Sequence, residues 1–97
     1  MSKPIRTHVF KGKKYKIKFV PNSIMAKTNA DADCDHPNSK HKVIRLVKNG
    51  LSEKRALEIA IHEAIHACFW LLDDEGVETA SEDIASFLWR MGYRKED

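Results

Sequence analysis

The sequence predicts an α+β fold, in which a small antiparallel or mixed sheet packs on a long helix and a second, C-terminal helix. The first half alternates apolar and polar residues with period two, the second half carries two stretches of helical period, and Asn49-Gly50 separates them. The 97 residues are enough for one small domain, residues 1–97, with a core that is marginal unless something else adds stability.

The elements follow in order. Val9-Phe10 and then Tyr15, Ile17 and Phe19 read as a hairpin, with Lys11-Gly12-Lys13-Lys14 as its turn and Pro21-Asn22-Ser23 ending the second strand. From Ala26 to Lys42 the composition is polar and predicts a loop without regular structure. Val43-Ile44-Arg45-Leu46-Val47 resumes a strand. Ser52 is placed to cap a helix and Glu53 suits its first turn, so a helix is expected over residues 52–72. Leu57, Ile61, Ala64, Ile65 and Cys68 form its apolar stripe, extended by Leu71 and Leu72. Asp73-Asp74-Glu75-Gly76 reads as a turn. Residues 77–89 then form a second amphipathic helix that would face Val77, Ala80, Ile84, Phe87, Leu88 and Met91 inward.

Composition narrows the setting. No apolar stretch is long enough to cross a bilayer and Met1-Ser2-Lys3-Pro4 opens no apolar signal segment, so a cytoplasmic protein without a membrane partner is expected. Cys34 and Cys68 do not make a disulfide framework, and Cys68, on the apolar helix face, reads as a small hydrophobe. The net charge of +3 and the hairpin lysines Lys11, Lys13, Lys14, Lys16 and Lys18 raise nucleic-acid association. Lysines on a hairpin more often solvate an edge, and no interleaved exposed aromatics or recognised binding motif are expected with them, so direct nucleic-acid binding is a secondary expectation.

The chemistry concentrates in His62-Glu63-Ala64-Ile65-His66, an HExxH motif on the first helix. Histidines one turn apart share a face and converge on one Zn²⁺, and Glu63 stands close enough to take a proton from a zinc-bound water as general base. A catalytic zinc usually takes a third protein ligand. Glu78, near the start of the second helix, is the leading candidate, since an antiparallel return brings it beside the first. Glu82 or Asp83 would hydrogen-bond the outer nitrogen of a ligating histidine, or be the ligand itself, and Glu75 is a further alternative. Tyr93, Arg90 and His41 are candidate donors to the oxyanion. The loop Asp31-Ala32-Asp33-Cys34-Asp35-His36 starts like a calcium loop, but His36 stands where glycine is needed and Lys42 where the bidentate glutamate belongs. Cys34, His36 and His41 form a weaker candidate metal set.

His62 to His66, followed by Glu78 and the pattern Ile84-Ala85 with Phe87-Leu88, resembles small gluzincin-type zinc peptidases. The look-alikes are compact phage and mobile-element proteins related in layout to ImmA/IrrE-like peptidases, and the run from Asp83 to Tyr93 resembles their ending. The resemblance implies a minimal zincin-like metallopeptidase domain holding Zn²⁺ through His62, His66 and Glu78. It also implies a peptide or protein substrate, Glu63 as the catalytic base and the cytoplasm of a bacterial host. In such peptidases the edge strand before the motif helix holds the substrate, a role that would fall to Val43 to Lys48. The related peptidases follow the carboxylate with a small residue and an asparagine, where this chain has Ser81 and Glu82, so the third ligand stays open among Glu78, Asp83, Glu82 and Glu75. The alternative is a catalytically silent, zinc-stabilised binding or regulatory module, with nucleic-acid association as one form of it. Oligomeric state is not legible.

Overall fold

A computed structural model describes residues 5–21 and 31–94 and has the expected α+β character. Strands β1 (Thr7–Phe10), β2 (Lys13–Val20), β3 (Ala32–Cys34) and β4 (Val43–Val47) precede helices α1 (Glu53–Cys68) and α2 (Asp74–Arg90). The sheet is mixed and four-stranded in the order β1-β2-β4-β3, with β2 and β4 parallel and the outer pairs antiparallel. No helix among the described residues is long and apolar enough to cross a membrane.

The hairpin turn is tighter than expected. Lys11 and Gly12 both adopt positive φ, 51° and 77°, which is the two-residue geometry that matches strand twist, so Lys13 and Lys14 belong to β2 and not to the turn. β2 stops at Val20; Asn22 and Ser23 lie outside the described residues, as do Met1 to Pro4 and the first part of the expected polar loop. Within the rest of that loop Ala32–Cys34 is corrected to a strand, β3, which pairs Asp33 with Arg45 in register, with Arg45 Nη1 bonded at 3.0 Å to both Asp33 and Asp35, while residues 35–42 have no helix or strand, as expected. β3 also overturns the expectation that Val43 to Lys48 is an edge strand. β4 is hydrogen-bonded on both sides, and the sheet edge beside α1 is β3.

Strand alternation puts Tyr15, Ile17, Ile44, Leu46, Ala32 and Cys34 on one face, where Ile59 and Ala67 of α1 close the core. Tyr15 is fully buried, and among the described residues its hydroxyl has no hydrogen-bond partner of good geometry; the neighbouring Cys34 thiol is a weak one. Burial, and then Cys34, pushes the phenol up to about 12. Since a buried unsatisfied hydroxyl costs roughly 1–3 kcal/mol, Tyr15→Phe should leave stability unchanged or raise it by about 1 kcal/mol in urea denaturation. A loss of that size would mean the hydroxyl is satisfied.

α1 starts as expected, with the Ser52 side chain accepting from the Arg55 N–H. It ends at Cys68, four residues short of the expected end. Phe69 caps it out of helical geometry, and Leu71, 97% exposed, does not continue the apolar stripe. Asp73 is the N-cap of α2, accepting from the Gly76 N–H at 2.6 Å, so Asp74, Glu75 and Gly76 form the first helical turn instead of a separate one. A Cβ on Gly76 would sit 2.7 Å from the capping oxygen, which accounts for glycine there.

α1 lies between the sheet and α2, and α2 packs chiefly on α1. α2 therefore buries a narrow strip, Val77, Ser81 and Ala85. Ala80 and Leu88 are partly covered, but Ile84, Phe87 and Met91 are exposed, contrary to the expected inward face. Small residues let two helices approach closely, and close approach decides which side of α2 turns inward.

Candidate active site

Nearly identical angular positions on α1 place Arg55, His62 and His66 in one stripe, because residues four and seven apart fall close together on a 3.6-residue helix. His62 Nε2 and His66 Nε2 stand 3.2 Å apart. Two nitrogens bound tetrahedrally to one zinc, each at about 2.0–2.1 Å, would stand about 3.3 Å apart. The pair thus fits two positions of a zinc shell; without a cation the same separation accommodates one shared proton. His66 titrates below its ordinary value, because burial and then the neighbouring His62 oppose its charge, which leaves the imidazole neutral and able to ligate at physiological pH.

Glu63 is 6% exposed and belongs to the most buried line of α1, Ile59, Glu63 and Ala67. An ordinary amphipathic helix would put an alanine or leucine there. Burial first, and the charge of Asp33 second, push its carboxyl up from 4.5 to about 7. A carboxyl in this position exchanges a proton near neutral pH.

His62, Glu63 and Glu78 line one cavity of about 240 Å³ together with Ile59 and Arg55 of α1 and Asp31 and Ala32 at the β3 edge. The cavity suits a peptide side chain more than a large ligand. Of the candidate carboxylates Glu75, Glu78, Glu82 and Asp83, only Glu78 lines it, and all are exposed. Among the described residues no three His, Cys, Asp or Glu side chains come together at metal-holding distance, so Glu78 faces the cavity without closing on the histidine pair.

The outer nitrogen of His62 is met by neither Glu82 nor Asp83. Ser81, 1% exposed, places its Oγ 3.5 Å from His62 Nδ1 and donates to the Glu78 carbonyl at 3.0 Å. Sequence reasoning missed this residue, although a serine within the predicted helix, three residues from Glu78, was a signal. Partners of this kind orient a ligating imidazole, so Ser81→Ala should weaken zinc affinity roughly tenfold in a chelator competition while leaving the fold intact. Unchanged affinity would remove Ser81 from the site.

The proposed oxyanion donors are not brought to this cavity. Arg90 lies about 18 Å from Glu78 along the α2 axis, Tyr93 lies beyond the helix, and His41 is exposed outside the cavity lining. The cation present is Arg55, which also pairs with Asp31 at 3.3 Å and with Glu58. Its place seven residues before His62 was the available signal. Cys34, His36 and His41 are likewise not grouped. His36 packs edge-on against Trp70 with centroids 4.8 Å apart, and its Nδ1 accepts from the Asn38 N–H. Burial, followed by the charge of Glu63, pushes the Cys34 thiol up to about 12, which makes it a poor ligand. The Trp70 ring is tilted against that of His66, with centroids 6.0 Å apart, and does not line the cavity. Compared with protein-family models, with curated proteins and with solved structures, the chain has no match.

Proposed function

We propose that residues 1–97 form one minimal zincin-like domain that acts as a zinc-dependent metallopeptidase. The observation that carries the reading is the convergence of His62 and His66 at 3.2 Å beside a carboxylate that the fold buries. A structural zinc site needs no such carboxylate. In this reading His62, His66 and Glu78 hold Zn²⁺, which lowers the pKa of water and polarises the scissile carbonyl when bound. Glu63 would take the proton of the attacking water and pass it to the leaving amine, from a position that burial and not hydration defines. Arg55 offers its guanidinium to the charge that develops on the carbonyl oxygen. The substrate peptide extends along the outer edge of β3, the last strand of the sheet among the described residues, by main-chain hydrogen bonds, a role that passes to β3 because β4 is internal.

Zinc-loaded protein incubated with a mixture of unrelated peptides should generate new termini detectable by mass spectrometry, and chelator-treated protein should not. No cleavage by zinc-loaded protein would count against the reading. A second reading, a zinc-stabilised module associated with nucleic acid, is favoured by one feature. Lys14, Lys16 and Lys18 are exposed and share the face of β2 turned away from α1. Retention on DNA that falls steeply with salt, without peptide cleavage, would select it.

A further inference from the structure

The α2 residues left outside the core carry a pattern of their own. Ala80, Ile84, Phe87 and Met91 repeat at spacings of four, three and four, the a/d pattern of a helix that packs against another helix. Ile84, Phe87 and Met91 are 42%, 62% and 61% exposed, and α1 covers a different strip. Asp83 and Arg90 stand seven residues apart on the rim of this seam and line one surface hollow with Ser86, Phe87 and Met91.

We infer that α2 pairs with α2 of a second copy of the chain, antiparallel and about a two-fold axis, through Ala80, Ile84, Phe87 and Met91. Charge selects the occupant and the direction. In an antiparallel pair the same rim of each helix meets, so Asp83 faces the partner's Arg90 and Arg90 faces the partner's Asp83. The register that forms both ion pairs also sets Ile84 against the partner's Phe87 and the small Ala80 against the partner's long Met91, each twice by symmetry. A parallel pair would place Asp83 beside the partner's Leu88 and leave the charges unmatched. Glu78 lies about 180° around α2 from Phe87, so the pairing leaves the candidate active site open on each protomer, and the inference stands independently of the proposed function. A seam of about three turns is at the small end of specific interfaces, which corresponds to association in the micromolar range.

Sedimentation velocity from about 1 to about 300 µM tests this. Wild type should pass from monomer to dimer across the range. Phe87→Glu, at an exposed position, should stay monomeric with an unchanged circular dichroism spectrum. Asp83→Arg and Arg90→Asp should each weaken dimerisation by roughly tenfold, and the double charge swap should restore it. A monomer at every concentration overturns the inference, as does a wild-type dimer that Phe87→Glu leaves intact. A double swap that fails to recover association overturns the antiparallel register.

Discussion

If the proposed function holds, a Glu63→Gln protein should retain its zinc and turn peptides over at least about a hundredfold more slowly than wild type, since a positioned general base contributes roughly 10²–10⁴ in rate. Glutamine keeps the shape of the side chain, so His62 and His66 keep their separation of 3.2 Å and the cavity its walls. The amide cannot accept and return a proton. Steady-state rates together with zinc content make the comparison decisive. Loss of both would report a disrupted fold, and turnover retained by the variant would remove Glu63 from the chemistry.

The same substitution has an opposite effect on stability. The Glu63 carboxyl is raised in the folded chain from 4.5 to about 7 by burial and then by Asp33. A group whose folded value lies above its unfolded value contributes stability that is complete below the unfolded value and disappears as pH rises through the folded one. For the metal-free protein this contribution is therefore present near pH 4 and gone above about pH 7, a change on the order of 3 kcal/mol. His66 works the other way, because its lowered value withdraws stability as pH falls. The difference between wild type and Glu63→Gln isolates the carboxylate. The two should be nearly equal in urea denaturation at pH 4, and metal-free Glu63→Gln should be the more stable by pH 8. Zinc should flatten the wild-type profile, since a nearby cation favours the charged carboxylate. Parallel profiles would mean that Glu63 is solvated. A gain in stability that accompanies loss of turnover is what a strained catalytic carboxylate produces and what a packing residue does not.

The α+β class and both helices were legible because each helix rests on a long periodic signal, joined by a cap for α1, whereas the Asp73 cap of α2 was read as part of a turn. Ser52 accepts from Arg55 as its position implied, and the HExxH spacing alone sufficed to bring two ring nitrogens together. β3 was not legible: the alternation in Ala32-Asp33-Cys34 is only three residues long and carried by small side chains among aspartates, and the strand is defined by its pairing with β4, across which Arg45 bridges Asp33 and Asp35. The inward face of α2 was misread for a related reason. Val77 is buried as expected, but hydrophobicity also points to Ile84, Phe87 and Met91, whereas packing against α1 selects the smaller Ser81 and Ala85, a choice that depends on a neighbouring helix the local sequence does not describe. Arg55 and Ser81 were overlooked because each enters the site through tertiary geometry, across the β3 edge for one and across the helix pair for the other.

The central claim is that His62, His66 and Glu78 form one zinc site, and zinc stoichiometry on purified wild type, His62→Ala, His66→Ala and Glu78→Ala tests it most directly. One zinc per wild-type chain, lost or severely weakened in all three variants, is the expected result. A wild-type protein that takes up no zinc on reconstitution would contradict the claim, and full affinity in Glu78→Ala would move the third ligand elsewhere.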